Sequence, residues 1–344
     1  MDNSFKWSGL TLSVVIPVYN GGEKFNRCLQ SLTQSTLMPM ELIVVADGDT
    51  DGSREMAKQF GAKVICFPEP GGPARARNRG AQAAKGDIVF FIDADVEVHP
   101  DTIDQVATAF VEDPELTALI GSYDDQPGAN NFLSQYRNLL HHYTHQISNH
   151  QASTFWGACG AIRREVFLSI GGFDEKYRLP CIEDIELGYR LKRGGHCIDL
   201  RKDIQVKHLK EWRPISMVKA DFFYRALPWT ALLLRDLQFN NDLNLQYSSR
   251  LSVVLVYGAI CALILATLVP ESLMLVLIFA AVLLSLNAPV YRFFYTKRGL
   301  FFTARTIPWH WLYYFYSGLA FAVGLVRHWL QPSRIDRVPG RVAS

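Results

Sequence analysis

Two acidic residues, Asp93 and Asp95, flank Ala94 at the end of a five-residue apolar run, Ile88 to Ile92. Carboxylates that close repel each other unless something positive sits between them, so the pair asks for a cationic partner. Asp is also a favoured turn residue, which is the plain structural alternative. A second acidic pair, Glu183 and Asp184, opens the stretch "EDIELGYRLKRGG", where acids suit the positive end of a helix dipole. Upstream of the first pair, "ARARNRG" sets Arg75, Arg77 and Arg79 at alternate positions, which cannot all share one helix face. His141 and His145 stand four apart, a spacing that could bind a metal; with neither carboxylate nor cysteine beside them, a solvated or substrate-facing helix is the preferred reading. Trp156 lies among the small residues Gly157, Ala158 and Gly160. It offers either a face on which a sugar or lipid could lie or simple core.

These residues need elements to position them. "LSVVIPVYN", "MELIVVADGD", "AKVICFP" and "GDIVFFIDADVEV" read as buried strands, with "EKFNRCLQSLTQ", "REMAKQFG" and "ARARNRGAQAAKG" as the helices between them. Strand and helix in alternation imply a parallel sheet with right-handed crossovers. Ligands of such sheets bind outside the carboxyl ends of the strands, so Pro17 to Asn20, Asp47, and Asp93 with Asp95 should meet at one rim.

Composition excludes some classes and suggests another. The chain has 344 residues and a net charge of +2, which gives no global attraction to nucleic acid. Its six cysteines form no CxxC pair, as expected of free thiols in a reducing compartment rather than a disulfide framework or zinc site. From Leu251 onward two charge-poor apolar runs follow each other, "LSVVLVYGAICALILATLV" and "SLMLVLIFAAVLLSLNAPV", and a third candidate runs from Trp309 to Val326. Each of the first two is long enough to cross a bilayer as a helix. Arg292, Lys297 and Arg298 between the second and third runs suit a cytoplasmic loop. Between Lys210 and Arg235, cations alternate with Trp212, Phe222, Phe223, Leu227 and Trp229, a composition of helices lying in a membrane interface.

In order, "VVIPVYN", "VVADGDTDGS", "GGPARARNRGAQAAKGDIVFFIDADVEV", "GACGAIRREVFLSIGGFDE" and "IEDIELGYRLKRGG" resemble family 2 glycosyltransferases over roughly residues 12–208. The resemblance implies an α/β GT-A fold, a Rossmann-like mixed sheet with helices on both faces. Together with the apolar runs it divides the chain into a catalytic domain (1–212), juxtamembrane amphipathic helices (213–248), a region of two to three transmembrane helices (249–330) and a basic tail (331–344). It implies that Asp93 and Asp95 hold Mg²⁺ or Mn²⁺ and, through it, the diphosphate of a nucleotide-sugar, with Asp95 the direct ligand and His208 a further one or an ordinary histidine.

Pro17, Val18, Tyr19, Asp47, Arg77, Asn78 and Asp93 would then line the donor. A guanidinium at Arg77 can fork onto phosphate oxygens. The family's usual pair of acids at the Asp47 strand end is Ala46 and Asp47 here, so the base is not specified. Asp184 would be the general base of an inverting displacement, with Glu183 raising its pKa by repulsion, and Trp156, Gly157, Cys159 and Gly160 would form the acceptor side. The partners expected are a nucleotide-sugar, a lipid or lipid-linked acceptor and a membrane, with no nucleic acid. The catalytic domain would be cytoplasmic, on a multi-pass protein of the inner or plasma membrane. Alternatives are a polyprenyl-phosphate glycosyltransferase and a non-catalytic subunit that binds nucleotide-sugar.

Overall fold

The continuous apolar runs form the centre of an eight-stranded mixed sheet in a computed structural model that describes residues 9–236 and 246–330. The strands are β1 (Leu12–Val18), β2 (Glu41–Asp47), β3 (Lys63–Phe67), β4 (Ile88–Ile92), β5 (Val96–Val98), β6 (Ala118–Tyr123), β7 (Cys159–Arg163) and β8 (Ile198–His208). Their order across the sheet is β3-β2-β1-β4-β7-β6-β8-β5. The four expected strands pair in parallel as β3-β2-β1-β4, while β7 runs antiparallel to both β4 and β6.

Central strands covered on both faces must be apolar at every position rather than every second one, and β4 is buried throughout. Within β1, Val14, Ile16 and Val18 join one core with Phe25, Leu29 and Phe110. Val15 turns to the other face, with Ala74, Ala81, Leu187 and Leu191. The helix Pro73–Ala83 begins with proline at its first turn, where the missing N–H costs nothing. A Cβ on Gly80 would fall 2.3 Å from Val15 Cγ1, so glycine lets this helix lie flush on the sheet and carries Arg77 under the rim.

Beyond the sheet, Pro214–Lys219 and Leu227–Asp236 are joined by a π-helical turn, Ala220–Ala226. This segment turns Met217, Leu227, Leu232 and Leu233 inward against protein and leaves Ile215 and Phe223 exposed.

The apolar region differs from the expectation of two to three crossings. Only Tyr247–Leu265 is by itself long and apolar enough to cross a membrane among the described residues; Pro270–Leu286 and Ala288–Leu330 qualify only as a pair bent by 62°. The bend falls at Asn287, whose side chain donates to Ser252 Oγ (3.0 Å) and to the Leu283 carbonyl and accepts from Tyr314 Oη (2.7 Å). A buried polar group is held where its partners are, and satisfying Asn287 interrupts the second run. The third candidate is part of Ala288–Leu330, which breaks at Gly299 (φ 78°). The basic tail, 331–344, lies outside the described residues.

Candidate active site

Arg77 organises the rim. It is 5% exposed and forks between two carboxylates, donating to Asp93 Oδ1 at 2.6 Å and to Glu183 Oε1 at 2.9 Å. A Cβ on Gly157 would fall 2.8 Å from the Arg77 guanidinium carbon, so that glycine makes room for the cation. Glu183 is buried and uses its other oxygen to accept the Cys181 N–H.

Its neighbour Asp184 forms no ion pair among the described residues. Its Oδ1 accepts the Ile185 amide at 2.8 Å and its Oδ2 the Gly157 amide at 3.4 Å. Burial, followed by the adjacent Glu183 charge, pushes its pKa up to about 7, with Arg77 acting in the opposite direction. A carboxylic acid near 7 is poised to exchange a proton at neutral pH.

The far side of the rim holds Asp95 and His208. Their side chains approach to 3.7 Å between His208 Nε2 and Asp95 Oδ2, and β5 pairs with β8 so that His208 lies beside Val96. The imidazole stacks on Tyr123 with ring centroids 4.2 Å apart and planes 8° from parallel. Burial pulls its pKa down to about 3, so it stays neutral with a lone pair free to donate to a metal. A carboxylate with a neutral imidazole fits a hard dication whose remaining sites are filled by phosphate oxygens and water. No cluster of three or more such ligands forms a complete cage among the described residues.

The remaining expected residues separate into groups. Tyr19 is exposed where β1 ends and Val18 is buried, with Pro17 paired in register to Val45. Asp47 is buried and accepts from the amides of Gly71 (2.9 Å) and Gly72 (2.7 Å) and from Arg75 (2.6 Å), which fixes the loop leading into the Arg77 helix. Asn78 is committed to the 171–175 segment. It donates to the Phe173 carbonyl and Glu175 and accepts the Phe173 amide, so it holds that loop rather than reaching the rim. Cys159 and Gly160 are buried inside β7, opposite Ile92 and Phe91; they shape the floor of the site.

Trp156 packs against Tyr123, His141 and His145 at centroid distances of 4.7, 4.8 and 5.3 Å. The two histidines are thus a wall behind Trp156, with His145 Nδ1 on the Gly121 carbonyl. Sequence reasoning missed Arg225, whose positive charge opposes protonation of both His141 and His208. It is held by Asp221, which also takes Arg137 at 2.6 Å and Tyr316 at 2.7 Å.

Residues 13–171, less than half of the chain, match the family described as glycosyl transferase family 2. The uncharacterized glycosyltransferase YibD of Escherichia coli K12 is 40% identical over 106 residues, 30% of this chain and 31% of its own length. The glucosyl-dolichyl phosphate glucuronosyltransferase of Haloferax volcanii is 26% identical over 176 residues, 48% of this chain and 56% of that one. The chain spans about a third of the length of the first curated relatives it matches. The mannosyltransferase PcManGT of Pyrobaculum calidifontis, solved with GDP-Man and Mn²⁺, superposes with a TM-score of 0.50 at 17% identity, covering 90% of this chain and 86% of that one. That likeness is one of fold.

Proposed function

We propose that the protein is a membrane-associated inverting glycosyltransferase that moves one sugar from a nucleotide-sugar to a hydroxyl of a lipid or lipid-linked acceptor. One observation carries the reading: Arg77 joins Asp93 to Glu183 beside an Asp184 held near neutrality. One cation therefore fixes both the donor acid and the residue that precedes the base.

In this mechanism Asp184 takes the proton of the acceptor hydroxyl as its oxygen bonds to the anomeric carbon. The bond from that carbon to the diphosphate breaks, and the nucleoside diphosphate leaves with the electron pair, inverting the centre. Asp95 and His208 would hold Mg²⁺ or Mn²⁺, which neutralises charge on the leaving diphosphate when bound. Arg77 keeps Asp93 and Glu183 in place. Pro17 to Tyr19 and Asp47 lie at the strand ends where the nucleoside would sit. Trp156 and Gly157 border the acceptor approach to Asp184.

The apolar helix Tyr247–Leu265 and the lipid-linked substrate in the name of the Haloferax relative support a lipid-borne acceptor. An acid pair acting as base favours a hydroxyl over an already anionic phosphate.

The test is to incubate detergent-solubilised protein with UDP-, GDP- and dTDP-sugars, Mn²⁺ and extracted membrane lipids. The expected product is a lipid heavier by one sugar in the mass spectrum. If every donor is bound and none is turned over, the protein is a nucleotide-sugar-binding subunit and the enzymatic reading fails.

A further inference from the structure

On the opposite face of β8 from His208 lies a cavity of about 650 Å³, lined by Arg27, Lys207, Arg298 and Arg305 with Phe132 and Phe302. Successive strand residues point to opposite faces, so Lys207 turns away from the catalytic rim as His208 turns toward it. None of Asp93, Asp95, Asp184 and His208 lines this space, and neither does any other acid.

Four cations around one cavity repel one another unless an anion joins them. Arg27 has a partner in Glu97 at 2.6 Å, and Glu97 also lies opposite Lys207 across β5 and β8. Arg298 donates to Gln135 Oε1 from Nε (3.0 Å) and Nη2 (2.8 Å), to the Asp125 carbonyl (2.6 Å) and to the Lys297 carbonyl (3.0 Å), all neutral acceptors that commit most of its N–H groups. Arg305 lies over the Phe132 ring at 4.2 Å. Among the described residues neither Arg298 nor Arg305 is paired with a carboxylate. A guanidinium seated on a ring, as Arg305 is, keeps N–H groups in the fork geometry that phosphate oxygens accept.

The same stretch of chain carries apolar side chains outward. Gly299, at φ 78°, breaks the long helix between Arg298 and Phe302. Beside the cavity Leu300 is 72% and Phe301 77% exposed. Exposed apolar side chains next to clustered cations match a bilayer surface, where acyl chains and anionic headgroups adjoin. Soluble anions would have no use for them.

We infer that this cavity binds the phosphate of an anionic lipid headgroup and seats the catalytic domain on the bilayer at a place separate from the sugar-transfer site. The inference stands apart from the transfer reaction, since a protein that turned over no sugar would bind such a lipid equally well.

The test measures lipid binding to the full chain in neutral detergent by native mass spectrometry, with phosphatidylglycerol, phosphatidylcholine and inorganic phosphate as probes. Phosphatidylglycerol is expected to bind and phosphatidylcholine to bind at least about tenfold more weakly, since the headgroup's net charge decides. The double variant Lys207→Gln/Arg305→Gln is expected to bind phosphatidylglycerol on the order of 30-fold more weakly, with melting temperature and nucleotide-sugar binding unchanged. Equal binding of the two lipids, or an unaffected double variant, overturns the inference. Inorganic phosphate competing as well as the lipid overturns the lipid assignment. If the double variant does not fold, salt decides on the natural chain: phosphatidylglycerol binding that weakens with added NaCl supports the site, and binding indifferent to salt overturns it.

Discussion

Arg77 and Glu183 are 106 residues apart in the chain and 2.9 Å apart in the fold. The contact joins the helix Pro73–Ala83, which packs on β1 and β2, to the start of Glu183–Arg193, which carries Asp184. Because the same guanidinium also holds Asp93, the spacing between Asp93 and the Glu183–Asp184 pair is set by one side chain.

Removing that side chain should cost more than any single contact it makes. Arg77→Ala leaves Glu183 buried without a counter-charge, and breaking a buried pair in this way costs about 3–5 kcal/mol. A large fall in melting temperature is expected. Arg77→Ala combined with Glu183→Gln should melt higher than Arg77→Ala alone, because the orphaned charge is gone. A double variant no more stable than the single would show that the pair is not what Arg77 stabilises.

Much of this was legible in the residues, and what escaped has a common cause. Parallel strands covered on both faces must be apolar at every position, so β1, β2 and β4 announce themselves, and their carboxyl ends locate Asp47, Asp93 and Asp95. Local sequence carries no trace of which acid a distant arginine will meet, so the bridge from Arg77 to Glu183 was invisible. Asn78 reads as a donor residue by position, yet its amide closes the 171–175 loop. Hydropathy alone counts the run around Asn287 as a straight span; the bend needs Ser252 and Tyr314, from two other places in the chain.

Transfer should switch on with pH through the Asp184 carboxyl. The folded protein holds this group near 7, above its ordinary value of 3.8, so the base is half protonated at neutrality and kcat/KM is expected to rise up to about pH 7 and level off above. Asp184→Asn should abolish turnover while donor binding persists.

Stability should run the opposite way. A carboxyl whose folded pKa is raised contributes stability that is fully present below its unfolded pKa and is lost as pH climbs through the folded one. The natural chain should therefore lose on the order of 2 kcal/mol between pH 5 and pH 8 from this group, and Asp184→Asn should show a flatter melting profile over that window. An unchanged profile would remove the physical basis for Asp184 as base.

Divalent metal should be required and should act through the Asp95 side of the rim. Chelation is expected to stop transfer, and Mn²⁺ or Mg²⁺ to restore it. Asp95→Asn should raise the metal concentration giving half-maximal rate by about tenfold or more, because a neutral amide is a poorer ligand for a hard cation. Undiminished transfer in excess chelator would exclude the metal-dependent reading.

Asp221 ties the catalytic domain to the C-terminal helices, and its loss should separate them. It is 3% exposed and accepts from Arg137 and Arg225 with one oxygen and from Tyr316 with the other. Those partners come from the helix Phe132–Ile147, the π-helical turn and the long C-terminal helix. With Asp221→Ala, Arg137 is left as a part-buried cation without its counter-ion, a change of about 1–3 kcal/mol. The helices should then open to limited proteolysis near the π-helical turn. Asp221→Asn keeps the hydrogen bond from Tyr316 but not the charge, and should fall between the two. If Asp221→Ala resists protease as well as the natural chain does, the network is not what joins the two parts.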